Sequence, residues 1–319
     1  MDILVETLEP GGAAEWSSFL ARCPGATFYH SMEFQEHYRH KCSEVLHLLF
    51  RRGSKTVAAL PAGVLAADGS KVLRSPFSAS FAGLLFPPNA GSRTYLEVVD
   101  ALRNWCAGEG ISTCEIQQTP GLYGDLNTDV IEYSLLVSGF SLCAYELCHC
   151  LPVVQNPESL FTSSARAQYR QALDSSLELI RSRDLPASYD MVEKNKRLKG
   201  TAPSLPKEDY LALSKLLPDR VRTYSVLLDG IEIATGVFYA LSSTGMMTFF
   251  LAHEEDALQH RPINYLVCEV SRQAYEEGFT ALDLGTTSDG GALNAGLSHF
   301  KEGLGGRPFL RKRFRRMEK

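Results

Sequence analysis

The sequence predicts a mixed α/β protein, with mixed sheets, built from two tandem copies of one fold. Three observations predict it. The chain has 319 residues, more than one ordinary domain of about 150 residues needs. The stretch Glu109-Gly110-Ile111-Ser112-Thr113-Cys114-Glu115-Ile116-Gln117-Gln118-Thr119 echoes Glu277-Gly278-Phe279-Thr280-Ala281-Leu282-Asp283-Leu284-Gly285-Thr286-Thr287 in residue character. The same order of elements, strand, hairpin, strand, helix and strand, surrounds each echo.

The individual elements follow from periodicity and punctuation. Leu96, Val99, Leu102 and Cys106 share one face of a helix over 94–107, as do Leu266, Val267, Val270 and Ala274 over 263–277. Gly110 and Gly278 suit the left-handed residue that closes such helices. Upstream, Val45–Phe50 turns at Gly53 into Thr56–Leu65, and Thr223–Leu228 turns at Asp229-Gly230 into Ile231–Leu241. Between the halves, Asn156-Pro157-Glu158 starts a helical turn. Ser164 is placed to cap a helix over 165–175, and Leu177–Arg181 reads as a strand. The run 194–199 is read as a basic segment entering a loop, and 207–217 as a helix. The expected boundaries are a first domain over 1–150, a second with the substrate cleft over 151–305, and a basic C-terminal strand over 306–319.

Composition narrows the function. There are 32 Lys and Arg against 37 Asp and Glu, a net charge of −5. The stretch 307–319 holds seven of the bases and one acid, which leaves the remainder at −11. General nucleic-acid binding by the whole surface is excluded, and an anionic partner must meet a local basic site. The opening Met1-Asp2-Ile3-Leu4-Val5-Glu6 lacks the positive charge of a secretory signal, and no apolar run reaches the length of a membrane span. The expectation is therefore a cytoplasmic protein without a transmembrane segment. Eight cysteines without a C-x-x-C pair read as reduced thiols. In Cys148-His149-Cys150 the thiols and the imidazole alternate across a strand, and His30, His37, His40 and His47 lack a fixed carboxylate partner, so no metal site is expected.

Several segments together resemble the FemAB-like family. They are Phe28-Tyr29-His30-Ser31-Met32-Glu33-Phe34, Ser75-Pro76-Phe77 with Ala82-Gly83-Leu84, and Ala165 to Leu173 with its arginines. Further on come Arg197-Leu198-Lys199-Gly200-Thr201-Ala202-Pro203, Asp283-Leu284-Gly285, and Phe300-Lys301-Glu302-Gly303-Leu304-Gly305-Gly306. The matches fall in order over almost the whole chain. The family comprises tandem acyltransferases of the GNAT superfamily, including peptidoglycan aminoacyltransferases and relatives in polysaccharide biosynthesis. The resemblance implies two GNAT-like domains, substrate in the cleft of the second, and, as in some relatives, a C-terminal strand returning to the first. Two departures stand out. The long helical arm of relatives that use aminoacyl-tRNA is missing, and Gln259-His260-Arg261-Pro262-Ile263-Asn264 has no glycine where GNAT enzymes cradle the coenzyme A pyrophosphate.

Acyl transfer to an amine needs a neutral nucleophile, stabilisation of the tetrahedral oxyanion and a route for a proton. Lys301 is the candidate to meet the oxyanion or a donor phosphate, in a glycine-flanked segment that would let the backbone approach substrate, and the resemblance implies a part for it in the transfer step. Asp283 is a candidate to orient the amine or take its proton, or else an Asx cap of the following turn. His253, at the end of a strand over 246–252, is a candidate proton acceptor. Arg166 and Arg170, one helical turn apart with Tyr169 between them, are candidates to hold a substrate phosphate. Asn264 opens the second-half helix and is a candidate binding residue. The expected function is an acyl- or aminoacyltransferase forming an amide on an amine of a nucleotide- or lipid-linked envelope precursor. Its donor is acyl-CoA or aminoacyl-tRNA, with no permanently bound cofactor. The basic tail is a candidate for peripheral contact with anionic lipid, or a last strand whose charges guard its edge. The alternatives are an acetyl-CoA-dependent N-acetyltransferase of small metabolites and an inactive binding module of the same fold.

Overall fold

A computed structural model describes residues 2–9, 11–67, 69–124 and 128–317. Met1, Glu318 and Lys319, which enter the readings of the opening and of the tail, lie outside the described residues. The chain divides into two compact units, Met1–Glu146 with Leu310–Lys319, and Leu147–Phe309.

The first unit starts with β1 (Leu4–Thr7), α1 (Ala13–Leu20) and α2 (Met32–His37). The predicted hairpin follows as β2 (Glu44–Arg52) and β3 (Lys55–Ala67), then β4 (Ser70–Ser75), α3 (Ser92–Gly108), β5 (Ile111–Gln117) and α4 (Thr128–Val137). The strand β6 (Ser141–Pro152) runs on into the second unit. There the chain forms α5 (Ser163–Asp174), β7 (Glu178–Arg181), α6 (Leu185–Leu198), α7 (Lys207–Leu216), β8 (Val221–Leu228), β9 (Ile231–Ala240) and β10 (Gly245–His253). It continues with α8 (Pro262–Glu276), β11 (Ala281–Thr286), the short pair β12 (Ser288–Asp289) and β13 (Ala292–Leu293), α9 (Ala295–Gly303) and β14 (Arg307–Met317).

The two units repeat one strand order. In the first it is β1-β2-β3-β4-β5-β14, antiparallel except for the parallel pair β4–β5 bridged by α3. In the second it is β6-β11-β10-β9-β8-β7, antiparallel except for the parallel pair β10–β11 bridged by α8. A parallel pair needs a crossover, and the two amphipathic helices supply it. Arg74 lies opposite Glu115 in one pair and Met247 opposite Asp283 in the other, so the echoed segments hold equivalent places. Each unit has its own core. Val98, Val99, Leu102 and Cys106 of α3 pack with Leu48, Leu60 and Phe314 in the first. Leu266, Val267, Val270 and Ala274 of α8 pack with Phe238, Met246 and Leu282 in the second.

The strand β14 completes the first unit by pairing with β5, Phe314 opposite Ile116. Its charges have partners there: Lys312 with Glu132, Arg313 with Gln117, and Arg315 with Glu115. Glu115 is buried and bridges Arg74 and Arg315. Burial works to raise its carboxyl, but Arg74 and Arg315 outweigh that and hold it below its ordinary value.

Some local expectations change. Thr162, not Ser164, caps α5, its hydroxyl accepting from the Ala165 N–H at 3.4 Å. The basic run 194–199 does lead into a loop, but it is itself the end of α6, which starts at the cap Asp184 with Pro186 in its first turn. α2 ends at His37, and His40 falls in a separate turn, Arg39–Lys41. Cys148 and His149 are buried and Cys150 half-buried on β6. Among the described residues no group of three His, Cys, Asp or Glu could hold a metal ion, and no helix is long and apolar enough to cross a membrane.

Burial pushes the imidazoles of His30 and His47 down to about 4. The unfolded chain, with an ordinary value of 6.5, then takes up these protons first. The contribution is complete above about pH 6.5 and is lost as pH falls through about 4, on the order of 3 kcal/mol for each histidine. Urea unfolding followed by tryptophan fluorescence, which reports only the first unit because both tryptophans lie there, is expected to weaken steeply between pH 6.5 and 4. His47→Gln should flatten that slope.

Candidate active site in the second unit

Parallel neighbours that diverge leave a gap between their backbones, and β10 and β11 diverge. Their pairing runs from Gly245–Ala281 to Met247–Asp283 and stops, although the strands continue to His253 and Thr286. A register shift between Thr248 and Phe250 accompanies the separation. In the first unit the corresponding place beyond β4 is taken by Ala82–Leu85, which bridges Gln118 on one side and Ala59 on the other. The Gln118 amide clamps that segment through Leu84 N–H and C=O at 2.9 and 2.7 Å. The repeat is therefore closed in the first unit and open in the second.

Lys301 stands at this opening. It lies in the last turn of α9, a helix started by Asn294, whose side chain accepts from the Leu297 N–H at 2.9 Å. The glycine-flanked segment is thus helical as far as Gly303. Its ammonium is buried and donates to the carbonyls of Gly285 and Thr286 at 2.9 and 2.8 Å. Gly285 has φ +75°, and a Cβ there would lie 3.7 Å from the Thr248 carbonyl oxygen and 3.9 Å from Lys301 Nζ. The glycines after Lys301 serve the packing of the chain on itself. A Cβ on Gly305 would meet Leu160 at 2.6 Å, and one on Gly306 would meet the Lys301 carbonyl oxygen at 2.7 Å.

Asp283 is fully buried, and its Oδ1 accepts from the Gly285 N–H at 2.7 Å, the Asx arrangement that fixes the turn. Burial, and then the Asp283 carboxylate, push the thiol of Cys150 up to about 12, so this cysteine stays protonated. It sits opposite Asp283 in the β6–β11 register.

A cavity of about 360 Å³ lies between α5, α6, β10, α8 and α9, and neither Lys301 nor Asp283 lines it. Its apolar wall includes Leu251, Ile263, Leu297 and Phe300, and its polar lining is Gln168, Asn195, Lys199, His253, Arg261 and Asn264. The lining holds two basic side chains, Lys199 and Arg261, and no carboxylate. Asn195 ties the polar side together, donating to the His253 carbonyl at 3.1 Å and accepting from Lys199 Nζ at 2.9 Å. Burial, followed by the neighbouring Lys196, holds the Lys199 ammonium below its ordinary value. His253 Nδ1 faces the Glu254 carbonyl at 2.9 Å and must be the donor, so the neutral ring carries its lone pair on Nε2.

The N-terminus of α8 opens on this cavity. Arg261 occupies the left-handed position before the helix, φ 52°, where a glycine would be unstrained, and Pro262 removes one N–H from the first turn. The N–H groups of Ile263 and Asn264 precede the first helical bond, Tyr265 N–H to the Arg261 carbonyl, and have no intrahelical acceptor. That end of the helix favours negative charge.

The arginine pair behaves differently from its reading as an anion clamp. Arg166 is committed to its own chain, donating to the carbonyls of Glu158, Ser159 and Phe161 at 3.1, 3.3 and 3.0 Å. Arg170 is exposed, and neither residue lines the cavity. Tyr169 is buried and hydrogen-bonded to Glu269 and Arg272, which also places it outside the cavity. Burial and then the Glu269 contact push its phenol far above the ordinary value. His253 and Asn264 do come together in the lining, joined by Lys199, Arg261, Asn195 and Gln168, which motif reading did not select.

Residues 163–302 match the acetyltransferase (GNAT) domain family. FemX aligns over 98% of this chain and 97% of its own, at 12% identity and a TM-score of 0.76. The chain has the FemAB-like tandem GNAT fold. L-PGS from Bacillus licheniformis aligns over 98% of this tandem GNAT chain and 93% of its own at 13% identity, TM-score 0.54. A tandem GNAT protein from the clavulanic acid biosynthesis pathway aligns over 99% and 98% at 10% identity, TM-score 0.53. No curated protein sequence matches significantly. The family match makes the tandem GNAT protein an N-acyltransferase, with its matched domain in the unit where the strands diverge.

The carbonyl contacts of Arg166 set an expectation. Arg166→Ala should lower unfolding free energy by about 1–3 kcal/mol, because it leaves carbonyls without a charged donor. It should leave KM within about twofold, since KM reports substrate binding only where a residue touches substrate. Urea titration and steady-state kinetics on the same preparation test both.

Proposed function

We propose that the second unit transfers an acyl or aminoacyl group from a phosphate-bearing donor to an amine of a cell-envelope precursor, forming an amide. The observation that carries this reading is the strand divergence together with a cavity of the same unit that has two basic side chains, no carboxylate and the N-terminus of α8. A thioester or ester donor with phosphates, acyl-CoA or aminoacyl-tRNA, matches that lining: the apolar wall takes the acyl portion, and Lys199, Arg261 and the first-turn N–H groups face the phosphate. The acceptor class follows the resemblance to FemAB-like proteins. It is an amine on a nucleotide- or lipid-linked peptide or amino sugar.

The chemistry needs no covalent intermediate on the enzyme. The neutral acceptor amine attacks the acyl carbonyl, and the carbonyl electron pair moves onto oxygen. Lys301, a buried cation beside the divergence, stabilises that oxyanion, and the effect is larger away from bulk water. His253 Nε2 accepts the proton released from the amine. Collapse of the intermediate expels the thiol or hydroxyl of the donor, which takes up a proton as it leaves. Asp283 holds the Gly285 turn, and so the carbonyls on which Lys301 rests.

Purified protein given acetyl-CoA or bulk aminoacyl-tRNA, with a nucleotide-linked peptide precursor or a nucleotide-linked amino sugar, is expected to form an amide detectable by mass spectrometry. Lys301→Met should then lower kcat by about 100- to 1,000-fold with KM little changed. Retention of more than half of wild-type turnover would remove Lys301 from the chemical step.

A further inference from the structure

The sequence Cys148-His149-Cys150 contributes nothing to the transfer described above, yet its imidazole is fully buried and contacts three polar side chains. His149 Nδ1 lies 3.3 Å from Thr287 Oγ1, just after β11. Its Nε2 lies 3.4 Å from Glu302 Oε1 and 3.5 Å from Ser298 Oγ, both on α9. Ser298 itself donates to Glu302 Oε1 at 2.9 Å. The contact to Ser298 and the contact to His149 hold the Glu302 carboxyl below its ordinary value. An ionised carboxylate only accepts, so Nε2 carries a proton and donates. Thr287 is anchored independently, its N–H and hydroxyl bonding to the Leu147 carbonyl at 2.7 and 3.1 Å.

These contacts join two segments that must be held together if Lys301 is to stay in place. Lys301 follows Ser298 by three residues and precedes Glu302, and its Nζ bonds the carbonyls of Gly285 and Thr286, next to Thr287. We infer that His149 is a positioning residue that clasps α9 to the end of β11 and so keeps the Lys301 ammonium on those carbonyls. Gly306 belongs to the same arrangement, since a Cβ there would lie 3.3 Å from the His149 Cβ. The catalytic importance of the clasp rests on the transfer reading above. The clasp itself does not, and it can be tested without turnover.

Labelling with acetic anhydride, followed by mass spectrometry, reads how often each lysine is open to a small electrophile. In the wild-type protein Lys301 should be strongly protected relative to the exposed Lys194. His149→Phe keeps the ring volume and deletes the hydrogen bonds. Thr287 then retains its Leu147 contact and the exposed Glu302 meets water, so the fold is retained. Glu302→Ala, a surface change, removes the carboxylate that Nε2 donates to and leaves it only Ser298. Each variant should raise Lys301 labelling about 5- to 30-fold with Lys194 unchanged, the effect of losing one or two hydrogen bonds on a local opening. His149→Gln, whose amide can still donate towards Glu302, should restore most of the protection. Unchanged Lys301 labelling in both His149→Phe and Glu302→Ala would overturn the inference. So would loss of hydrogen-exchange protection throughout 147–309, which would mark general loosening. Kinetics separate this result from the transfer reading. If His149 acts through Lys301, His149→Phe lowers kcat about 10- to 100-fold, while the double variant with Lys301→Met is no slower than Lys301→Met alone. If Lys301→Met is itself fully active, Lys301 leaves the chemical step and the labelling result still decides the clasp.

Discussion

A buried ammonium has to be surrounded by oxygen, and the second unit is arranged around meeting that need for Lys301. The Gly285 and Thr286 carbonyls can turn towards it because β11 has already left its partner β10. A carbonyl still engaged in a parallel ladder would face along the sheet. The divergence thus does two things at once: it opens the backbone and releases the groups that hold a positive charge beside the opening. The buried carboxylate of Asp283 braces the Gly285 turn from the other direction. Removing the divergence, as the first unit does with Ala82–Leu85, removes both the space and the means of holding a charge there.

The two units show how one pattern serves two ends. Both have a parallel pair, a crossover helix and an acidic residue at the same register, Glu115 in one and Asp283 in the other. In the first unit the acid is neutralised by Arg74 and Arg315, so the position becomes a structural ion pair. In the second the acid supports a glycine turn. The repeat that has filled its gap lies in the first unit, and the repeat that kept it open lies in the unit that the acetyltransferase domain family matches.

The sequence was most legible where periodicity and turn chemistry agree. The helices α3 and α8, the hairpins β2–β3 and β8–β9, and the equivalence of the Glu115 and Asp283 strands all follow from apolar spacing and the glycines between them. α6 and α9 were missed for a physical reason. Their buried faces mix polar and apolar residues, Ser188, Tyr189, Val192 and Asn195 in one, Ser298 and Lys301 in the other, so the apolar stripe is faint. Their caps were readable nonetheless: Asp184 with Pro186 behind it, and Asn294. For the site, Lys301, His253 and Asn264 were chosen by residue type and position, but Lys199 and Arg261 were not. Their proximity to His253 depends on how α6 and α8 meet β10, which no local pattern encodes. Arg166 shows the converse, a spacing that suits an anion but a side chain already used to satisfy nearby carbonyls.

The position of β14 bears on how the molecule acquires its structure. Arg315 meets Glu115 across 200 residues of chain, and Phe314 belongs to the same core as Leu48 and Val98. Residues 147–309 are therefore translated before the first unit can gain its last strand. Closing so long a loop costs only modest entropy, but it delays the contact. During synthesis the first unit waits with β5 exposed as an open edge, a template for wrong pairing. Meanwhile the second unit, a single unbroken stretch of chain, can fold as it emerges. The unit made first is thus the one finished last, and a cell making this protein has reason to guard it with a chaperone until translation is complete.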